Sequence, residues 1–88
     1  EMRAIEAYYD WHAVEGRCSA PIMEGVTRSD ILSEDGDQTV RQVRYMYRDY
    51  QQRSTRTRRC RGFGSRTFTL INDEGRPRVI SMSGQTRR

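Results

Sequence analysis

Residues 33–38, Ser-Glu-Asp-Gly-Asp-Gln, constrain how this chain can fold more than any other segment. Asp-Gly between apolar runs is the chemistry of a tight β-turn, because both residues tolerate the backbone angles such a turn demands. Ile31-Leu32 precede it and Thr39-Val40 follow, so the segment reads as a hairpin with Asp35-Gly36 at its centre. A second signal, Asn72-Asp73-Glu74-Gly75, separates residues 66–71, alternating and rich in Thr and Phe, from residues 77–82. Both flanks are predicted strands. Pro77 opens its strand, since proline cannot donate to an interior ladder. Residues 22–32 form the strand before the first turn, with Gly25 a candidate bulge. Residues 39–51 satisfy two patterns. Val43, Tyr45 and Tyr47 alternate with Arg44, Met46 and Arg48 as in a strand, while Val40, Val43, Tyr47 and Tyr50 also keep helical spacing. The β-branched and aromatic content favours the strand. Residues 51–59 are a polar, Arg-rich connection or strand end, and Gly62 and Gly64 around Phe63 suggest a bulge or sharp bend.

The opening segment reads as a helix. Over residues 1–15, Arg3, Glu6 and Asp10 fall on one side of a helix. Met2, Ile5, Tyr9 and Ala13 make an apolar stripe, with Ala4, Tyr8 and Trp11 beside it. Gly16 supplies a stop. So wide an arc predicts a covered helix over about 2–15, with Trp11 and at least one of Tyr8 and Tyr9 against the sheet. The expected fold is α+β: one N-terminal helix packed on an antiparallel meander of about four strands, with the sheet over 22–82. The 88 residues make a single domain, 1–88, ending in a frayed basic C-terminus at 83–88.

The core of such a domain is thin. Val, Ile, Leu and Phe number fourteen of the 88 residues, so five Tyr, one Trp and four Met must supply the remaining buried surface. A thin core invites a covalent staple. Cys18 and Cys60 are the only cysteines, one in each half. Bridged, they close a loop of roughly 42 residues, which contributes about 4 kcal/mol in the chain-entropy account. Two free buried thiols are the rival reading, normal in a reducing cytosol; the even count and poor core favour the bridge. A zinc site is not expected, because these two Cys and His12, at no recognised spacing, fall short of four ligands.

Charge is divided as sharply as the cysteines. All sixteen basic residues are Arg, with no Lys. Residues 1–37 hold three Arg against nine acids, and residues 38–88 hold thirteen Arg against three, so the overall +4 conceals a net −6 and a net +10. The same arginine usage also follows from a GC-rich coding bias. Arginine suits flat, multidentate contact with phosphate, carboxylate or aromatic faces. The basic half therefore either binds an anionic partner (protein, glycan or lipid headgroup) or pairs with the acidic half of its own chain. Residues 41–66 are densest, with nine Arg and one Asp among Tyr45, Tyr47, Tyr50 and Phe63. Arg and aromatic residues so mixed suit single-stranded nucleic acid. Strand alternation, however, puts Tyr45 and Tyr47 on one face and Arg44 and Arg48 on the other, where nucleic acid would need them together. The candidate anion-binding patch is Arg44, Arg48, Arg56, Arg58 and Arg61.

No catalytic constellation is legible. His12 has no nucleophile or orienting partner at a recognisable spacing. Glu34, Asp35 and Asp37 resemble a fragment of a calcium loop but lack its later ligands, so turn chemistry accounts for them. Neither cofactor nor metal is expected, and no apolar run approaches a transmembrane span. Cys60-Arg61, then Phe63, Arg66-Thr67-Phe68, Gly75 and Gly84, resemble the C-terminal β-region of rickettsial-type surface-antigen lipoproteins, small outer-membrane proteins of proteobacteria. The likeness covers residues 60–88 and implies an envelope location, and no functional residue is carried over from it. The chain opens on Glu1, not Met, as follows either from loss of a leader or from trimming, and with the expected bridge the reading is an exported bacterial protein, periplasmic or envelope-associated. The sequence thus reads as a small, exported, non-enzymatic interaction or structural module with an Arg-rich basic face. The alternative is a cytosolic nucleic-acid-binding module using residues 41–66.

Overall fold

The computed structural model describes residues 1–16, 18–49 and 60–84. Helix α1 spans Met2–His12, and four strands follow: β1 Pro21–Asp35, β2 Gln38–Asp49, β3 Arg61–Asp73 and β4 Arg76–Met82. They pair antiparallel in the order β1-β2-β3-β4, a meander in which every neighbour in space is a neighbour in sequence. The chain is an α+β domain, and residues 39–49 belong to a strand. The expected connection at 51–59 and residues 85–88 of the expected frayed end at 83–88 lie outside the described residues, while Ser83 at its start is held, its N–H donating to the Thr67 carbonyl at 2.9 Å.

Both turns are tighter than their signals suggested. Asp35 pairs with Gln38, which leaves Gly36-Asp37 as a two-residue loop, one position later than the expected centre. Gly36 there has φ 63°. In the second turn both Glu74 and Gly75 have positive φ, 54° and 83°, as a type I′ hairpin requires. The Asn72 N–H donates to the Asp37 carbonyl at 2.9 Å, locking the two turns at one end of the sheet. Strand β1 is longer than expected and shifts register between Met23 and Gly25, between Val26 and Arg28, and between Ile31 and Ser33. The expected bulge at Gly25 is the first of these, and such insertions increase a strand's local twist.

Period-two alternation assigns the faces. Met23, Val43, Tyr45, Phe68 and Leu70 point to the helix, which contributes Ile5, Tyr9 and Ala13, and all are buried. An isolated helix of 11 residues is marginal in water, so α1 is held by this packing. Two polar ties assist it. The Met23 N–H donates to Asp10 Oδ1 at 2.9 Å, and Arg41 Nε bonds Glu1 Oε1 at 2.7 Å. Burial pushes the Asp10 carboxyl above its usual range, against the Met23 hydrogen bond.

Three expectations need correction. The helix ends at His12, not near residue 15, because Ala13 turns extended (φ −78°, ψ 152°) while its N–H still bonds the Tyr9 carbonyl. Gly16, at φ 54°, serves instead a turn in which Glu15 and Cys18 exchange backbone hydrogen bonds. Trp11 is 67% exposed, because the Met2–Ile5–Tyr9 stripe alone meets the sheet; Tyr8 is half-buried, its ring 4.1 Å from that of His12. Finally, Gly62 and Gly64 mark no bend. The β2–β3 register runs unbroken through them, Tyr47 facing Gly62 and Tyr45 facing Gly64. A Cβ on Gly64 would lie 2.5 Å from the Tyr45 hydroxyl oxygen, and one on Gly62 would lie 2.8 Å from that of Tyr47. The glycines are there so that two tyrosines can lie across the neighbouring strand.

Candidate functional site

Two groupings of polar side chains stand out, one buried and one open. The buried one centres on Glu15 and Arg66. Arg66, Phe68 and Leu70 share the inward face of β3, which drives a guanidinium into the core at 7% exposure. Glu15 Oε2 accepts hydrogen bonds from the Tyr9 hydroxyl at 2.8 Å and the Tyr45 hydroxyl at 2.5 Å. Arg66 Nε lies 3.2 Å from the same oxygen and donates to the Tyr45 hydroxyl oxygen at 2.9 Å. Its two Nη atoms donate to the carbonyls of Ser83 (2.7 Å) and Val14 (2.8 Å), and its Cζ sits 5.7 Å from the Tyr9 ring centroid. One side chain thus joins the segment after the helix, the middle of β2 and the end of β4.

This arrangement is a structural lock, and its electrostatics follow from burial. Burial works against the Arg66 charge, but the bonds to Glu15 and Tyr45 outweigh it and raise its pKa. Burial, then the hydrogen bond to Glu15, pushes both Tyr9 and Tyr45 far above the ordinary phenol range. Raised phenol pKa values contribute stability that is complete below the unfolded value near pH ~10 and is lost as pH rises toward the folded values. The phenolate absorbance of the folded chain at about pH 11 should therefore fall at least two tyrosines short of the unfolded chain's. A full phenolate signal from chain that is still folded would contradict the burial of Tyr9 and Tyr45.

The open grouping occupies the other face of the sheet, where no described element packs. Cross-strand pairs Arg48–Arg61, Met46–Phe63 and Arg44–Ser65 fix its rows, and Arg28 faces Arg44 from β1. Phe63 is 77% exposed. Arg48 Nε and Arg61 Nη2 converge on Glu24 Oε2, at 3.6 and 3.9 Å, and Arg28 Nε bonds Asp30 at 2.8 Å. Arg44 is exposed and makes no ion pair among the described residues. Of the five arginines named from the sequence, Arg44, Arg48 and Arg61 thus share one face, two of them sharing one carboxylate. Arg56 and Arg58 lie outside the described residues. Pairing between the two halves of the chain is real: Arg41–Glu1, Arg48–Glu24, Arg61–Glu24 and Arg66–Glu15 all cross it.

Cys18 and Cys60 are bonded, their Cα atoms 5.2 Å apart, at the end of the sheet opposite the turns. Among the described residues no three His, Cys, Asp or Glu side chains are placed to hold a metal ion, and no helix is long and apolar enough to cross a membrane. No protein family, curated protein or solved structure matches the chain.

Sequence reasoning missed the Glu15–Arg66 lock, although two signals were present. An arginine in period with Phe68 and Leu70 is misplaced unless it has a buried partner. A tyrosine on a core-facing stripe, as Tyr9 is, needs a partner for its hydroxyl.

Proposed function

We propose that this chain is an exported, non-enzymatic interaction module whose contact surface is the helix-free face of the sheet, recognising an anionic partner. The observation that carries this reading is the row Arg44, Arg48 and Arg61 beside an exposed Phe63, on a face against which no described element packs. Exposed apolar surface rimmed by charge marks contact sites, and arginine is the cation suited to carboxylate, sulfate and phosphate alike. The Cys18–Cys60 bridge is compatible with export to an oxidising compartment, and the resemblance of residues 60–88 to surface-antigen lipoproteins agrees with an envelope location. The nucleic-acid alternative is weakened by Tyr45, which is buried and hydrogen-bonded to Glu15 and so unavailable for stacking on bases.

Heparin retention tests the proposal. The wild-type chain should be retained at low salt and released steeply as salt rises. The Arg44→Glu/Arg48→Glu double variant should elute at clearly lower salt while its thermal unfolding is little changed, since both positions are outside the core. Equal retention by the double variant would show that this face carries no anion-binding function. Tight, sequence-selective binding to a single-stranded oligonucleotide would promote the alternative.

A further inference from the structure

Strand β3 has an edge, where the open face ends, that no described strand pairs. Thr67 donates its N–H to Ser83 Oγ at 2.8 Å and accepts the Ser83 N–H at 2.9 Å, so its backbone groups aim towards β4. On the opposite side, the Cys60 carbonyl accepts the Asp49 N–H, so even-numbered residues at the start of β3 aim towards β2. By the period of two, the N–H and C=O groups of Arg61, Phe63 and Ser65 aim away from β2, along the line β4 would continue. But β4 ends at Met82, opposite Phe68. Its continuation is diverted to the helix face, where the Ser83 carbonyl binds Arg66 Nη1 and Gly84 turns with φ 89° against the same guanidinium. The lock therefore holds open a gap of about five residues, or roughly 17 Å, beside which no described strand lies.

We infer that this edge, residues 61–65 of β3, takes an extended acidic peptide of a partner as a fifth strand. The inference rests on the open-face reading and specifies how the partner is held. Strand addition supplies main-chain hydrogen bonds to Arg61, Phe63 and Ser65, and alternate side chains of the guest supply specificity. Those lying on the open face meet Arg44 across the small Ser65, then Phe63, then Arg61, on a face where, among the described residues, the acids Glu24 and Asp30 are set against Arg28, Arg44, Arg48 and Arg61. Carboxylates alternating with apolar groups match that row. A second copy of this chain is a poorer occupant, because edge-to-edge pairing centred on Phe63 sets Arg61 of one copy beside Ser65 and Arg44 of the other.

The probe is acetyl-Glu-Thr-Val-Thr-Glu-amide, whose first, third and fifth side chains share one face, with a version N-methylated at alternate amides as a control of equal charge. Amide NMR of the full chain should show shifts and slowed exchange at Arg61, Phe63 and Ser65. The methylated peptide should bind at least tenfold more weakly. Ser65→Pro removes one outward N–H at a position where an edge strand tolerates proline; it should also weaken the peptide at least tenfold and keep heparin retention. Equal binding of both peptides overturns the inference, and that arm decides if Ser65→Pro does not fold. Heparin retention without peptide binding overturns strand addition and leaves the open-face reading standing, whereas loss of both removes both. Dimerisation of the free chain that Ser65→Pro abolishes would make a second copy the occupant, which also overturns it.

Discussion

Replacing Arg66 with alanine is expected to lower stability by about 3–5 kcal/mol, the scale for breaking a buried ion pair by removing one partner. The loss is large because four acceptors are abandoned together: the Glu15 carboxylate, the Tyr45 hydroxyl and the carbonyls of Val14 and Ser83. A buried group stripped of its partner bears its full desolvation penalty. Total stability for a domain of this size is about 5–10 kcal/mol, so the variant should be close to unfolding at physiological temperature. Urea unfolding monitored by circular dichroism would show the midpoint fall, with little change in slope. Arg66→Lys separates charge from geometry. Lysine keeps the positive charge but cannot reach acceptors in three segments with one planar fork, so it should lose roughly 1–3 kcal/mol. A loss below about 1 kcal/mol for Arg66→Ala would mean that the lock is ornamental and that apolar packing alone holds the helix down.

The second large effect is expected from the disulfide. The Cys18→Ser/Cys60→Ser double variant should be about 2–5 kcal/mol less stable than the oxidised chain. The bridge spans 42 positions in sequence, and without it the unfolded ensemble regains that loop's freedom. The folded chain without the bridge keeps its core and its lock, so the loss should appear as a lower unfolding midpoint with the helix still docked. Because a loop is released in the denatured state, the urea slope should increase. Identical unfolding of the oxidised chain with and without reductant would show that the bridge contributes nothing.

Much of this fold is legible in the sequence, and for identifiable reasons. Asp35-Gly36 and Glu74-Gly75 announce hairpins because few residues accept positive φ, and period-two alternation over Val43–Tyr47 settled which side each ring takes. The stripe Met2, Ile5, Tyr9 is equally local. What escaped reading was tertiary. Gly62 and Gly64 look like breakers until the register sets Tyr47 and Tyr45 against them, and nothing within residues 60–66 carries that information. Trp11 looks core-bound because its size suggests burial, whereas the sheet accommodates one stripe of the helix and not two. The open face was half legible: the alternation placed Arg44 and Arg48, but the sharing of Glu24 by Arg48 and Arg61 depends on a bulge in another strand. The edge of β3 was not legible at all, since it exists only because β4 stops short.

Cys18 lies just before β1 and Cys60 just before β3, so the bond between them encloses the whole β1–β2 hairpin. Seen as a load path, it is a short circuit. A pull applied at the two ends of the chain passes from residue 18 to residue 60 through sulfur, and the 42-residue span between them, roughly 150 Å of contour when extended, is shielded from tension. What yields first is the seam between the helix and the sheet and the short β3–β4 hairpin. Strands β1 and β2, the Arg44 side of the open face among them, stay tethered until the covalent bond itself is broken.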